Sequence, residues 1–232
     1  MDYKNNHFLT DFQNNMKLLI TAATPDELLA AKQAISVRSD IEYLSIVTGI
    51  GVTATVYHIL KCVQAESFDC VLNIGIAGSY NPNFAVGDVC WVTKEYFGDS
   101  GVRTPAGFST LFDENILNAN TFPFVNGALH APTVLDCFPK GIDYPAATGL
   151  TVQTVSGEQQ QIEERYARYA PDVETMEGAA FFYVCLQEKL PFIALRAISN
   201  KVEPRDKSKW DIPLALNKLS QACRHLLSLA TY

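Results

Sequence analysis

The sequence predicts an α/β domain in which helices cover a central β-sheet, and three observations carry this prediction. From Met16 onward, short apolar runs alternate with longer amphipathic ones, which is typical of βαβ units. The strand-like runs, such as DCVLNIGIAG at 69–78, are continuously apolar and suit strands that are buried on both faces. A chain of 232 residues with 48% hydrophobic and 19% charged side chains is long enough for one well-filled core.

The N-terminal part of the chain gives strand and helix signals in turn. KLLITAA at 17–23 is an apolar run that predicts the first strand. PDELLAAKQAI at 25–35 predicts a helix, because Pro25 falls in its first turn and two acids follow it directly. The elements that follow are a strand at 41–48, the glycine turn TGIG at 48–51, a helix at 52–66, and strands at 69–78 and 87–93.

Residues 97–131 show little periodicity and are rich in Gly, Pro, Asn and aromatic side chains. They predict a long loop region around one short helix near 113–119, and a loop of this length in a compact domain is usually functional. Beyond them the alternation returns. It predicts strands at 149–157 and 191–199 and helices at 158–169, 176–189 and 213–230.

Charge and composition narrow the range of partners. The net charge is −7 and the sequence has no cluster of Lys and Arg, so neither nucleic acid nor an anionic membrane surface is an expected partner. No apolar run reaches the roughly 18 residues that span a bilayer, so we expect a soluble protein. A small molecule is the expected partner.

The cysteines and the N-terminal residues bear on location and domain limits. The cysteines lie far apart with no C-x-x-C pair, which favours reduced, buried thiols in the cytoplasm over a disulfide framework or a zinc site. MDYKNNHFLTDFQNN at 1–15 is polar and lacks an apolar segment, so it predicts a flexible leader and not a signal peptide. A single domain is therefore expected at 16–232. The cysteines are Cys62, Cys70, Cys90, Cys137, Cys185 and Cys223.

Several common catalytic signatures are missing from the sequence. None of the four histidines adjoins a Ser or Cys in a nucleophile motif, and neither H-E-x-x-H nor G-x-S-x-G occurs, which disfavours metal-dependent and serine hydrolase chemistry. NIGIAGSY at 73–80 places Gly75 and Gly78 directly after a strand, where a backbone can approach a ligand closely. Gly78 is thereby a candidate substrate-binding residue, although the spacing is neither a dinucleotide fingerprint nor a P-loop.

Glu177 lies in VETMEGAAFFYVC, at the first turn of an apolar helix that is predicted to begin near Thr175. One interpretation is that an acid there complements the helix dipole, which is worth about 0.3–1 kcal/mol. The other is that Glu177 projects from the carboxyl end of a strand, where open α/β folds bind ligands, and binds a vicinal diol such as that of ribose. The apolar stripe that predicts the helix is Met176, Ala179, Ala180, Tyr183 and Val184.

Three further polar residues are expected at the same sheet edge. Arg196 lies inside the apolar strand PFIALRAIS, and burying an unpaired guanidinium is so costly that it must meet a carboxylate or a bound polar species. Asn200 follows that strand, either as a ligand contact or as a turn residue. Glu27 follows the first strand, either as a ligand contact or as another surface acid at a helix start. The convergence of these strand ends favours a shared site.

The motifs and their order resemble the purine nucleoside phosphorylase/nucleosidase superfamily, particularly its methylthioadenosine/adenosylhomocysteine nucleosidase branch. The resemblance runs from Met16 nearly to the end of the chain. It implies a three-layer αβα sandwich around a twisted mixed sheet, with no metal or organic cofactor. The segments that carry it are TGIG at 48–51, NIGIAG at 73–78, VGDV at 86–89, VSG at 155–157, ETMEGAAFFYVC at 174–185 and PFIALRAISN at 191–200.

The resemblance implies a role for each candidate residue. Glu177 matches the carboxylate that binds the ribose hydroxyls, and Met176 matches the methionine that packs under the sugar. Glu27 matches the glutamate that positions and deprotonates the attacking water, and Arg196 resembles the arginine that helps to hold the water site. Ile76 stands where the nucleosidases often use a serine near the water, so another group must complete that site.

Asn200 occupies the position of the aspartate with which the nucleosidases protonate adenine. An amide can donate to the oxygen of a 6-oxopurine without ionising, which favours hypoxanthine as the leaving base, although asparagine can also pair with adenine. The tail SNKVEPRDKSKW at 199–210 is similar to the futalosine hydrolase branch, which removes hypoxanthine from futalosine in an alternative menaquinone route. Futalosine carries a benzoate, for which Arg205 or Lys207 would be the counter-charge.

The resemblance leaves other functions to be separated from this one. Phosphorylases of the superfamily carry an arginine just before the glycine turn, where this chain has Leu72 and Asn73, so hydrolysis is preferred over phosphorolysis. The alternatives are a methylthioadenosine/adenosylhomocysteine nucleosidase, a purine nucleoside phosphorylase and a non-catalytic nucleoside-binding protein. A homodimer or higher homo-oligomer is also implied, with 97–131 completing the neighbouring pocket. The aromatic residue expected after VSG is replaced by glutamines at 159–161.

Overall fold

The computed structural model describes residues 16–35, 38, 40–133, 138 and 142–230. The leader expected at 1–15 and the thiol of Cys137 lie outside these residues. The helices and strands follow in the order β1 (Met16–Ala22), α1 (Pro25–Ile35), β2 (Ile41–Val47), α2 (Val52–Ala65), β3 (Cys70–Ser79), β4 (Val89–Phe97), β5 (Gly101–Thr104), β6 (Gly107–Thr110), β7 (Leu129–His130), β8 (Ala146–Thr151), α3 (Gln159–Tyr169), β9 (Val173–Thr175), α4 (Gly178–Gln187), β10 (Phe192–Lys201) and α5 (Ile212–Leu229).

The main sheet is mixed, and part of it closes on itself. β2, β1, β3 and β10 lie side by side and run parallel. β10 also pairs antiparallel with β4, β4 pairs parallel with β8, β8 pairs parallel with β9, and β9 returns antiparallel to β3. The strands β3, β10, β4, β8 and β9 therefore form a closed ring, which we call the strand ring, and β1 and β2 extend it on one side.

Helices cover both faces of the sheet. α1 and α5 lie on one face, where Leu18 and Ile20 of β1 share a core with Ala31 of α1. α2 and α4 lie on the other, where Leu19 shares a core with Ile59. Successive residues of β1 thus point to opposite cores, as the strand geometry requires. The arrangement confirms the α/β class and the three-layer αβα sandwich around a mixed sheet.

The segment 97–131 differs from its prediction, and the helix near 113–119 is wrong. Thr110 and Asp113 do exchange two hydrogen bonds, at 2.8 and 3.0 Å, as at a helix start. Asn115 then adopts a φ of 56°, which stops the helix after one turn. In place of one long loop, the segment contains the antiparallel hairpin of β5 and β6 and the short strand β7.

Two boundaries near the candidate site also shift. The strand predicted at 149–157 ends at Thr151, so the residues after it are free to line a cavity. Val173–Thr175 forms a short strand between β3 and β8, and α4 begins only at Gly178. Glu177 is therefore the N-cap residue of α4 and does not lie in its first turn.

The described residues also bear on thiols, membrane spans and metal sites. Cys62, Cys90, Cys185 and Cys223 are free thiols. In the described part of the chain, no helix combines the length and the apolar character needed to cross a membrane. Within the same ranges, no group of three or more His, Cys, Asp or Glu side chains is arranged to hold a metal ion.

Candidate active site

A cavity of about 330 Å³ opens at the carboxyl ends of β1, β3 and β10. A larger groove of about 700 Å³ lies between the β5–β6 hairpin and α3, but its described lining contains none of the predicted site residues. The smaller cavity is therefore the candidate site. The predicted residues that line it are Glu27, Gly78, Met176, Glu177, Asn200 and Arg205.

Glu27 is fixed by the start of α1. One carboxylate oxygen accepts hydrogen bonds from the backbone N–H and the hydroxyl of Thr24 at 3.0 and 2.7 Å, while Thr24 Oγ1 accepts the N–H of Glu27 at 3.4 Å. This reciprocal pair is a capping box, which accounts for the sequence TPDE. The other oxygen accepts the N–H of Ile76 at 3.0 Å. The residue is 7% exposed, so Glu27 stabilises a helix start and also faces the cavity.

Glu177 lies between two helix N-termini. It is the N-cap residue of α4, and its Oε1 accepts the N–H of Gly51, the N-cap residue of α2, at 2.8 Å. Gly51 has a φ of 89°, which explains the second glycine of TGIG. Burial raises the pKa of Glu177 above its usual value and the charge of Glu27 adds to the rise, while the Gly51 hydrogen bond and Arg196 oppose it.

Arg196 lies behind the cavity and is not part of its lining. Its guanidinium donates to the side-chain oxygen of Asn73 at 2.5 Å and to the backbone oxygens of Leu195 and Asn73 at 2.8 and 3.4 Å. Asn73 in turn donates to Thr21 Oγ1 at 2.9 Å. Arg196 forms no ion pair with any described residue. Amide and carbonyl oxygens therefore take the place of the carboxylate or bound polar species that the sequence suggested.

Gly75 separates Arg196 from Glu27. A Cβ atom at this position would lie 3.0 Å from Oε1 of Glu27 and 3.8 Å from Nε of Arg196. Glycine therefore lets the carboxylate and the guanidinium approach the same point of β3. As a result, a buried cation lies behind the water-activating acid that the resemblance implies.

Asn200, Gly78 and Glu174 lie side by side on the adjacent strands β10, β3 and β9. The amide of Asn200 donates to the oxygen of Lys201 at 2.8 Å and accepts from the hydroxyl of Ser199 at 2.8 Å. Asn200 is part of β10, which continues to Lys201, so the turn interpretation is wrong. A Cβ atom at Gly78, in the middle of this row, would lie 3.0 Å from Cγ2 of Val202 and 3.2 Å from the amide nitrogen of Asn200, so glycine lets these two side chains approach β3.

Glu174 is a lining residue to which the sequence assigned no role. Its carboxylate accepts from the backbone N–H and the hydroxyl of Ser156 at 2.8 and 2.5 Å, and from the hydroxyl of Tyr80 at 2.8 Å. Arg165 lies 3.6 Å from it and donates to Ser156 Oγ at 2.7 Å. This network fixes the segment after β8 against the cavity. The sequence shows only an acid between Val173 and Thr175, and its partners are distant along the chain.

The segment after β10 forms another wall of the cavity. Arg205 is exposed, and its guanidinium lies 5.4 Å from the ring centre of Trp210. Its backbone N–H donates to the backbone oxygen of Gly157 at 3.2 Å. Trp210 is the aromatic side chain among the described lining residues, so it is the candidate ring contact that the motif after VSG lacks. Lys207 and the glutamines at 159–161 do not line the cavity.

Known proteins share this architecture and parts of the sequence. The family model described as the phosphorylase superfamily matches residues 17–230. The chain is 30% identical over 184 residues to a futalosine hydrolase from Thermus thermophilus, and this alignment covers 78% of this chain and 79% of the relative. The structure of futalosine hydrolase from Helicobacter pylori has a TM-score of 0.75 at 15% identity and covers 93% of this chain and 97% of that chain. The structure of the 5'-methylthioadenosine/S-adenosylhomocysteine nucleosidase of the same organism, solved with butyl-thio-DADMe-Immucillin-A, has a TM-score of 0.76 at 14% identity. The match covers 92% of this chain and 98% of that chain.

Proposed function

Since the chain belongs to the phosphorylase superfamily, we propose that it is a nucleosidase that hydrolyses the N-glycosidic bond of futalosine. The observation that carries the proposal is that Glu27 and Glu177 open onto one cavity, with Asn200 beside them. The 30% identity to a futalosine hydrolase from Thermus thermophilus supports the same substrate. The products are then hypoxanthine and dehypoxanthine futalosine, which belong to an alternative menaquinone route.

In the proposed reaction, Glu27 acts as the general base. Its two oxygens are oriented by Thr24 and by the N–H of Ile76, so the carboxylate is held in place for a water molecule at the anomeric carbon. Water forms the new C–O bond as the C–N bond breaks, and its proton passes to Glu27. The bonding electrons leave with the purine, which takes a proton from solvent. The backbone N–H of Ile76 supports the acid where the nucleosidases often use a serine side chain.

The same cavity offers partners for both charges that develop. Positive charge builds on the sugar ring, and the carboxylate of Glu177 counters it while it holds the ribose hydroxyls. Negative charge builds on the purine, and the amide of Asn200 donates to its edge. Because this amide does not ionise, it suits the oxygen of hypoxanthine better than the protonated ring nitrogen of adenine.

The cations around the cavity support water as the nucleophile. Lys201 is a lining residue, but its ammonium group donates to the backbone oxygens of Asn81, Pro82 and Phe84. Arg196 lies behind the wall, with its donors directed to Asn73 and Leu195. A phosphate dianion would need a free cation next to the anomeric carbon, and Arg205, the exposed cation at the edge of the cavity, is assigned to the benzoate instead. Hydrolysis needs none, and it fits the acids that line this site.

Arg205 is the proposed partner of the benzoate. It lines the cavity, it is exposed at the edge, and it forms no ion pair with a described residue. Its guanidinium stacks on Trp210, which presents a planar cation beside a planar ring. A benzoate complements this pair, because it carries a carboxylate for the cation and a ring that can pack against the indole.

We also propose a homodimer in the cytoplasm. Large apolar side chains are exposed at Tyr57 of α2, Phe122 and Val125, whose exposed fractions are 60%, 62% and 54%. Exposed apolar side chains of this size support burial against a second copy. The free thiols support a reducing compartment. Light scattering after gel filtration tests the dimer, and Tyr57→Lys is expected to give monomers. A monomeric wild type would refute the assembly.

The function is tested by incubating the protein with futalosine, methylthioadenosine and inosine, with and without phosphate, and reading the released base by chromatography. Hypoxanthine from futalosine, at a rate independent of phosphate, is the expected result. Faster release of adenine from methylthioadenosine would make the protein a methylthioadenosine nucleosidase. A rate that depends on phosphate would make it a phosphorylase, and binding without turnover would make it a nucleoside-binding protein.

A further inference from the structure

Glu95 of β4 is a buried acid that the proposed chemistry does not use. It is 0% exposed, and its Oε2 accepts the hydroxyl of Thr151 at 3.0 Å. Its Oε1 has no hydrogen-bond partner among the described residues. A buried carboxyl oxygen without a partner costs stability, so its presence needs an explanation.

Two glycines make room for this carboxyl group. A Cβ atom at Gly149 or at Gly178 would overlap Oε1 of Glu95. Neither glycine has a positive φ, so the space is what requires glycine there, and the backbone conformation does not. Gly149 lies opposite Glu95 on β8, and Gly178 is the first residue of α4. The carboxyl group therefore touches the start of α4 from inside the strand ring.

A hydrogen-bond relay continues from Glu95 into α4. Thr151 donates its hydroxyl to Glu95, and its Oγ1 accepts the N–H of Ala179 at 2.6 Å. Ala179 is the second residue of α4 and follows Glu177 by two positions. The relay holds the first turn of α4 from inside the ring, while Gly51 holds the side chain of Glu177 from the other side.

We propose that Glu95 is a positioning residue, which acts through Thr151 to place the start of α4 and with it the carboxylate of Glu177. The inference rests on the proposed function, in which Glu177 binds ribose. Burial raises the pKa of Glu95 to about 8, although the charge of Arg196 and the hydrogen bond from Thr151 lower it. The neutral form of the group is therefore favoured at pH 7. Glutamine offers the same acceptor and nearly the same volume, whereas leucine offers no acceptor.

Steady-state hydrolysis of futalosine at neutral pH tests the proposal. Glu95→Leu and Thr151→Val are expected to raise KM roughly tenfold or more with a smaller change in kcat, because each breaks the relay. Both should also speed hydrogen exchange in the peptide 176–182, which is measured without substrate. Glu95→Gln is expected to stay within about twofold of the wild type in KM, since it keeps the acceptor. Cys185→Ala, a buried change in α4 outside the relay, should lower the melting temperature without a change in KM.

The outcomes separate this inference from the proposed function. Unchanged KM and unchanged exchange in both relay variants, with an active wild type, would overturn the inference alone. A wild type that cleaves none of the nucleosides would overturn the proposed function and with it the role of Glu95 toward ribose. If Glu95→Leu does not fold, Thr151→Val decides, because it removes the hydroxyl and keeps the volume.

Discussion

Gly51 donates its backbone N–H to Oε1 of Glu177 at 2.8 Å, so the residues that begin α2 and α4 meet although they are 126 positions apart in the sequence. The hydrogen bond lowers the pKa of Glu177, burial raises it, and burial prevails. The balance between these two effects sets the pH at which Glu177 becomes an anion, the form that its proposed role toward the sugar cation requires.

The hydrolysis rate is therefore expected to follow the ionisation of Glu177. Because its pKa lies above 4.5, kcat/KM should rise with pH through that raised value and level off above it. Glu177→Gln should lower kcat/KM about 10²–10³-fold and shift this acid limb, because the ionisation of Glu177 no longer contributes to it. The measurement is a pH–rate profile with futalosine. Glu188→Gln, at the exposed C-terminal end of the same helix, should keep both rate and profile. An acid limb at an unchanged pH in Glu177→Gln would assign it to another group.

Glu27→Gln separates binding from chemistry. Glutamine can keep the capping box with Thr24, so the start of α1 should remain folded. It cannot take a proton from water, so kcat is expected to fall about 10²–10⁴-fold while the dissociation constant for futalosine changes little. Single-turnover kinetics and calorimetry measure the two quantities. Asp26→Asn, an exposed neighbour in the same turn, should behave as the wild type. Near-normal turnover in Glu27→Gln would remove Glu27 from the role of base.

Asn200→Asp tests the choice of base. The aspartate loses the amide donor to a 6-oxopurine and gains an acid that can protonate adenine. The ratio of kcat/KM for futalosine over methylthioadenosine is expected to fall by about 10²-fold. Asn200→Ala serves as the comparison, since it removes the donor without adding an acid and should slow both substrates. An unchanged ratio in the aspartate variant would mean that Asn200 does not face the purine edge.

Arg205→Ala tests the benzoate contact. The variant is expected to raise KM for futalosine about fivefold, because an exposed charge-assisted pair is worth roughly 1 kcal/mol, and to leave KM for inosine nearly unchanged. Lys207→Ala removes an exposed cation of the same segment that does not line the cavity, so it is the matched control. Equal effects of Arg205→Ala on both substrates would exclude a benzoate contact.

Glu95→Gln should change the pH dependence of stability. In the unfolded chain the carboxyl ionises near its ordinary pKa of 4.5, whereas in the folded protein burial raises the pKa to about 8. The stability contributed by the neutral group is therefore full below pH 4.5 and is lost as the pH rises towards 8. Glutamine does not ionise. The free energy of unfolding of the variant should therefore rise relative to that of the wild type by up to about 5 kcal/mol as the pH increases across this range. Denaturant unfolding at several pH values measures the gain. The exposed Glu163→Gln should show no such trend, and a flat difference for Glu95→Gln would mean that Glu95 is ionised in the fold.

Local signals in the sequence located most helices and strands, and the site residues that depend on strand ends. The bounds of α1 agree because Pro25 and the capping box of Thr24 and Glu27 are local features. The short helix near 113–119 failed because a local start signal cannot show that Asn115 takes a positive φ. The strand β9 was missed because three residues give no period to detect.

What the sequence by itself determined is the α/β class and the two acids and the amide at one sheet edge, because apolar periodicity and strand ends are readable along the chain. Only the tertiary structure decided which groups touch. It closed the strand ring around Glu95, turned Arg196 towards Asn73, and tied Glu174 to Ser156 and Tyr80. These contacts join residues that are far apart along the chain. A buried polar group takes whichever partner the packing brings to it, and no local pattern in the sequence specifies that partner.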